Sequence, residues 1–239
     1  MEENSSKPKR IVVEPVRDAL AKASERYGEL TLVRATVQAI PWVGAMLDTL
    51  LSNRGSKIQY ERVIHFLGKL DARLHQLEAV GEINEEGFYD LMLNVFDSVI
   101  RTRSEKKRAC FAQLVTNQIA FPRNWEDAEM AVSLLRDLTE THVAILKAAS
   151  QAPMCARPFE GLRVVTWHMD EEAAGATSLP RLDALASLKA EVMGMACSEL
   201  VSRGLLLDEG VSRLDTSAME FFVLTDLGKW FLDWLTEPE

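Results

Sequence analysis

Glu105 is the one carboxylate in an eight-residue stretch that carries five cations: Arg101, Arg103, Lys106, Lys107 and Arg108. Such a concentration of positive charge can bind a phosphate group, the backbone of a nucleic acid or acidic lipid headgroups. The alternative is a solvated face near the C-terminal end of a helix, where cations also interact favourably with the helix dipole. We favour the solvated face and keep the stretch as a candidate anion or nucleic-acid site.

The histidines and cysteines of the chain are not spaced like metal ligands or catalytic groups. The four histidines are His65, His75, His142 and His168. Their distances in sequence from one another and from the cysteines do not match those of zinc ligands, so no zinc site is predicted. We expect reduced, buried thiols, as in a cytosolic protein, at Cys110, Cys155 and Cys197. A glycine-rich phosphate loop and a nucleophile elbow are also missing from the sequence. We therefore assign no catalytic residue, metal or cofactor and predict a protein that is not an enzyme.

The most apolar segment of the chain is 31–51, whose only charges are Arg34 and Asp48. Its uncharged part, 35–47, is thirteen residues long, whereas a helix that crosses a membrane needs about 20. Pro41 divides the segment, because proline removes a helical hydrogen bond and clashes with the preceding turn. The segment is thus predicted to be a buried hairpin of two short helices. The alternative is a surface that contacts a membrane or a partner through Trp42 and Val43.

Composition predicts a mainly helical globular protein. Of the 239 residues, 47% are hydrophobic, and glycine (12) and proline (8) are scarce. The N-terminus has no apolar stretch of the kind found in a signal peptide. These features predict a cytoplasmic protein in which residues 1–13 form a flexible tail.

Residues 14–138 are predicted to form a bundle of roughly five to seven helices, on the basis of their apolar periodicity. The clearest helix has spacings of 3, 4, 3, 4 and 3 between Tyr60, Val63, Leu67, Leu70, Leu74 and Leu77. This narrow seam is typical of helices that pack almost parallel, and we expect Leu70 to lie in the core. Further helices are predicted to begin after the capping residues Asn84, Ser104 and Asn124.

Residues 139–239 form the second predicted unit, with a mixed pattern. Thr139 is expected to cap a helix, and residues 150–180 are irregular apart from a strand-like run at 162–168, so we interpret them as a linker or insertion. Pro180 is predicted to open a long helix that ends at Arg203 and Gly204. A hairpin of 205–207 with 220–224 and a final helix capped by Thr225 complete this part.

The end of this pattern resembles a winged-helix module over about residues 139–236. The resemblance rests on the order of a helix ending Ser-Glu-Leu-Val-Ser-Arg-Gly-Leu-Leu at 198–206, an acidic turn, and Phe-Phe-Val-Leu-Thr-Asp-Leu-Gly-Lys-Trp-Phe at 221–231. With the helical region and Ile-Pro-Trp-Val-Gly at 40–44, the whole chain is similar to bacterial abortive-infection proteins of the alpha type. The resemblance implies a role in phage defence and carries no active-site residues to this chain.

Charge separates the two halves of the chain and bears on its partners. Residues 1–120 hold 17 Lys and Arg against 16 Asp and Glu, whereas residues 121–239 hold 10 against 20. An acidic winged-helix-like part is expected to repel DNA. We therefore predict a protein-interaction component of phage defence or stress response that binds a protein partner or forms a homo-oligomer, with exposed Trp230 or Trp234 in the contact. The alternatives are a DNA-binding regulator and a membrane-acting effector that uses 31–51.

Overall fold

The structure is a computed structural model that describes residues 56–76, 84–156, 159–168, 175–212 and 217–236. Within these ranges the chain forms seven α-helices and four short strands, which confirms the prediction of a mainly helical fold with a small β part. The predicted tail 1–13 and the apolar segment 31–51, with Trp42 and Val43, lie outside the described residues.

The described part begins with four helices: α1 (Ser56–Leu74), α2 (Glu85–Arg101), α3 (Glu105–Ala120) and α4 (Trp125–Asp137). The predicted caps of α2, α3 and α4 are confirmed, because backbone N–H groups donate to the side-chain oxygens of Asn84, Ser104 and Asn124. Each cap satisfies one of the N–H groups that a helix leaves unpaired at its start.

The seam predicted for the first helix is buried at the four positions whose side chains the structure describes, and Leu77 lies outside the described residues. Val63, Leu67, Leu70 and Leu74 are each almost inaccessible to solvent, and α1 packs against α2 and α3 along this side. The ring of Phe66 on the same helix meets the ring of Phe96 edge to face, with centroids 5.8 Å apart. The expectation that Leu70 is a core residue is thus confirmed.

Three further helices and four strands follow: α5 (Glu140–Gln151), β1 (Val164–Thr166), β2 (Thr177–Ser178), α6 (Ala190–Ser202), β3 (Leu206–Asp208), β4 (Phe221–Leu224) and α7 (Asp226–Asp233). Two 3₁₀ turns, Leu179–Arg181 and Gly210–Ser212, lie between them. The predicted caps Thr139 and Thr225 accept hydrogen bonds from the first turns of α5 and α7. The predicted hairpin is also confirmed, as the antiparallel pair β3 and β4.

The four strands form one mixed sheet in the order β2-β1-β4-β3. β1 pairs in parallel with β2 and antiparallel with β4, where Val165 lies opposite Phe222. The interpretation of residues 150–180 as a linker is therefore wrong, and the alternative of an insertion stays a prediction. The strand-like run within them supplies a central strand whose three residues are all buried, since β-branched side chains pack well on both faces of a covered sheet.

The predicted long helix from Pro180 is also shorter than expected. Residues 179–181 form a 3₁₀ turn, further turns follow, and α6 begins only at Ala190. The N–H of Leu185 donates to the carbonyl of Leu182, and that of Leu188 to Leu185. Leucines three residues apart fit such three-residue turns as well as they fit an α-helix, so spacing alone does not distinguish the two. The predicted end is confirmed, with Gly204 at a positive φ of 72°.

One continuous hydrophobic core includes side chains from all seven described helices and three of the strands. A smaller cluster around Phe159 and Val164 covers the other face of the sheet. Buried Asn117 on α3 adds polar contacts to the chain end, because its amide nitrogen donates to the carbonyls of Trp234 (3.0 Å) and Thr236 (2.9 Å). None of the helices in the described ranges combines the length and apolar character needed to cross a membrane.

Candidate functional site

Arg108, the last cation of the basic stretch, is buried and hydrogen-bonded to the protein backbone. Its side chain is buried, with 6% of the residue exposed. The guanidinium donates to the carbonyls of Thr102 (3.0 Å) and Arg103 (2.9 Å), just beyond the end of α2. Arg62 of α1 donates similarly to the carbonyl of Ile100. Arg108 thus satisfies backbone acceptors after a helix end, and anion binding by this side chain stays a prediction.

The other four cations of the stretch do not share one environment. Arg101 forms an ion pair with Asp97 at 2.8 Å, and Arg103 is exposed. Lys106 and Lys107, in the first turn of α3, line a cleft of about 1100 Å³ with α5 and residues 182–188. Two cations of the stretch therefore line a cleft, and the sequence alone did not indicate that this cleft exists. Binding of any anion by these four residues stays a prediction.

Lys107 is held in place within this cleft. Its ammonium donates to the backbone carbonyl of Arg136 at 2.7 Å. Burial lowers the pKa of Lys107, and nearby Asp137 opposes that shift.

His142 joins the start of α5 to α6. The backbone N–H of Thr139 donates to its Nδ1 at 3.0 Å, and Thr139 in turn accepts from the N–H of His142. This is a capping box with histidine in the position usually held by Glu or Gln. Since Nδ1 accepts, Nε2 carries the proton and faces a carboxylate oxygen of Glu199 at 3.0 Å. The sequence indicated Thr139 as the cap and missed the histidine, because imidazole is not a usual capping partner.

This arrangement predicts a loss of stability in mild acid. Burial lowers the pKa of His142 from its ordinary value of about 6.5, more than Glu199 raises it. At pH values below about 6.5 the unfolded chain binds more protons at His142 than the folded chain does. The contribution of His142 to stability is therefore fully present above pH 6.5 and is lost as the pH falls through the pKa of the folded state. We expect the free energy of unfolding, measured by urea denaturation, to be lower at pH 5.5 than at pH 7.5.

His142→Gln is the matched control for this prediction, because glutamine can fill the same capping position without titrating. Its free energy of unfolding should change less between the two pH values than that of the wild type. Some dependence will remain, since burial also lowers the pKa of His65. Equal pH dependence in wild type and variant would show that His142 does not contribute.

The loop between β3 and β4 is fixed at its base by a buried carboxylate. Asp208 accepts hydrogen bonds from the backbone N–H groups of Gly210 (2.9 Å) and Met219 (2.7 Å). The indole N–H of Trp167 donates to the carbonyl of Met219 at 2.7 Å. These bonds connect the hairpin to the end of β1, so the hairpin has a defined orientation on the sheet.

The two tryptophans predicted as exposed contact residues are packed against the core. Trp234 is completely buried, and the guanidinium carbon of Arg123 lies 4.6 Å from its ring centroid. Trp230 is half-buried and meets Trp234 edge to face. The expectation that Trp234 is exposed is therefore wrong. Its position near α3 is a tertiary contact, which the pattern of the last helix does not encode.

The exposed apolar side chains of this half of the chain lie elsewhere. They include Val192 and Met195 on α6, which are 39% and 59% exposed, and Leu207 on the edge strand β3. Met154, Val211 and Leu227 are exposed as well. On α6 the flanking exposed residues are Glu191 and Glu199, and the helix contains no lysine or arginine. We define the α6 surface as Glu191, Val192, Met195 and Glu199.

Within the described ranges, no group of three or more His, Cys, Asp or Glu residues is arranged so that it could hold a metal ion. Comparison of the chain with family models, curated proteins and solved structures gives no match. The function therefore has to be argued from the surfaces themselves.

Proposed function

We propose that residues 139–236 form a winged-helix-like module through which the chain binds a protein partner, without enzymatic activity. The order of elements supports the module: α5, β1, the turns of 179–188, α6 and the β3–β4 hairpin. The strand order β1-β4-β3, with β2 added at one edge, fits the same topology. In helix-turn-helix modules, of which this layout is a variant, the second helix of the motif contacts the target. The corresponding helix here is α6.

The single observation that carries the proposal is the chemistry of the α6 surface. A helix that binds DNA neutralises phosphates with lysine and arginine, but this surface presents two apolar and two acidic side chains. Lys189 and Arg203 flank the helix, and Arg203 lies 3.6 Å from the carboxylate of Asp137. Apolar side chains with acidic neighbours fit a protein surface that has an apolar centre and a basic rim.

A different protein fits the α6 surface better than a second copy of this chain. In a two-fold symmetric dimer the same patch faces itself. The acidic residues Glu191 and Glu199 would then approach their own copies, and such like-charge contacts oppose association.

Met195→Asp is expected to weaken partner binding about tenfold or more, since truncating or charging a central apolar contact commonly has this effect. The partner would be captured from an extract of the source cells, identified by mass spectrometry, purified and titrated calorimetrically against the full chain. Met130→Asp is the matched control, because Met130 is 53% exposed on α4, outside the proposed module.

Equal binding by wild type and Met195→Asp would contradict the proposal. So would micromolar binding of duplex DNA that Met195→Asp abolishes, and such a result would favour the DNA-binding regulator instead. Concentration-dependent dimerisation that is lost in Met195→Asp would favour a homo-oligomer. The phage-defence role, the cytoplasmic location and the membrane-acting alternative stay predictions.

A further inference from the structure

The cleft that receives Lys106 and Lys107 lies where α1, α3, α5 and residues 177–188 meet. Its volume of about 1100 Å³ slightly exceeds the range of roughly 300–1,000 Å³ that is usual for small-molecule sites. The cleft is separate from the α6 surface, since none of the four residues of that surface lines it.

Positive charge is concentrated in this cleft although the chain as a whole is acidic. Four cations line it, from three helices: Arg73, Lys106, Lys107 and Lys147. Two carboxylates, Glu140 and Asp183, also line it, which leaves an excess of positive charge in a chain whose net charge is −9. A concave surface focuses such a field and raises the local concentration of anions.

The position of Lys107 in this cluster is fixed by a hydrogen bond to the backbone. Its ammonium has three donors, and within the described part of the chain its one hydrogen-bond acceptor is the carbonyl of Arg136. A half-buried ammonium is costly to desolvate unless it gains acceptors. An anionic oxygen in the cleft would supply a second acceptor and would also interact with Lys106 and Lys147.

The remaining wall of the cleft is largely apolar. Small and branched side chains from α5 and the following turns contribute to it, including Val143, Ala144, Ala148, Leu182 and Leu188. Ligand sites commonly combine such a wall with a few polar groups that fix orientation. The two kinds of lining together fit a molecule that has an anionic group and a less polar body.

We propose that this cleft binds a phosphorylated small molecule, with the phosphate held by Lys106, Lys107 and Lys147 and the less polar body against Val143 and Leu182. A small ligand can place its phosphate away from the two carboxylates of the cleft. A long polyanion such as a nucleic acid would have to pass close to them, which like-charge repulsion disfavours. The site is independent of the proposed protein contact.

Cys110 offers a direct measure of occupancy. It lines the cleft and is partly accessible, whereas Cys155 and Cys197 are buried. Burial raises the pKa of the Cys110 thiol, so labelling with iodoacetamide is best followed at mildly alkaline pH, where more thiolate is present. The modified peptide can be quantified by mass spectrometry on the intact, full-length chain.

The test uses ATP, inorganic pyrophosphate and inorganic phosphate as probes, with labelling of Cys110 and calorimetric titration as the two measurements. We expect ATP to slow the labelling of Cys110 and to bind more tightly than the two inorganic anions, because it alone has a body that can reach the apolar wall. Lys106→Gln/Lys147→Gln should weaken ATP binding at least about tenfold, as loss of two charge-assisted contacts implies. Arg103→Gln is the matched control from the same basic stretch and should leave binding unchanged.

Three results would overturn the proposal. The first is the absence of both protection and heat with every probe at about 1 mM, a concentration at which even weak sites are occupied. The second is equal ATP binding by the wild type and the double variant, with both shown to be folded by circular dichroism. The third is binding of single-stranded RNA or duplex DNA, but of none of the three probes, which would assign the cations to a nucleic acid.

Discussion

Trp234→Ala is expected to lower the free energy of unfolding by about 3–5 kcal/mol, the usual cost of removing a large buried aromatic side chain. The indole is completely buried beneath the guanidinium of Arg123 and beside Trp230. Removing it would leave a cavity at the junction of α3 and the chain end, which the surrounding backbone can fill only in part. Urea denaturation at neutral pH, followed by circular dichroism, measures the difference.

Trp230→Ala provides the comparison within the same helix, and we expect a smaller loss because this side chain is only half-buried. A loss of less than about 0.5 kcal/mol for Trp234→Ala would be typical of an exposed position. That outcome would restore the original expectation that Trp234 is a contact residue on the surface.

Leu70→Ala should destabilise the chain by about 2–5 kcal/mol, because deletion of a buried leucine side chain combines lost burial with a cavity. Leu70 is 3% exposed in the α1 seam, and α2 and α3 both pack against α1. The same urea denaturation experiment applies, with the midpoint and the slope fitted separately so that a change in the unfolded state is recognised.

Ile58→Ala is the control for Leu70→Ala, since Ile58 lies on the same helix and is 61% exposed. Its effect should be small, within the range of surface substitutions. If the two variants lost similar amounts of stability, the seam would not be the buried side of α1.

The starts of the helices could be predicted because the signals are local. A side chain such as Asn84, Ser104 or Thr139 accepts a hydrogen bond from a backbone N–H two or three residues further on, so its effect is contained in a few residues of sequence. The seam of α1 is equally local, because it depends only on the helical repeat. These features were therefore predicted with the correct residues.

The errors concern contacts between distant residues. Trp234 looked exposed because Arg123, whose guanidinium lies over its ring, is far back in the chain. The cleft likewise combines Arg73, Lys106 and Lys147, whose proximity no spacing rule can supply. Only the cations of α3 were identified from sequence, as part of a larger stretch.

The bond between Asn117 and the chain end also constrains how the protein can be synthesised. The amide of Asn117 and the carbonyl of Thr236 are 119 residues apart in sequence. At translation rates of about 5–20 residues per second, α3 leaves the ribosome several seconds before its partner is made. Until then this amide lacks its carbonyl acceptors, so the contact between α3 and residues 234–236 forms only after α7 has emerged. Removal of residues 233–236 should consequently leave this amide without its acceptors and weaken the packing of α3, a helix encoded far upstream.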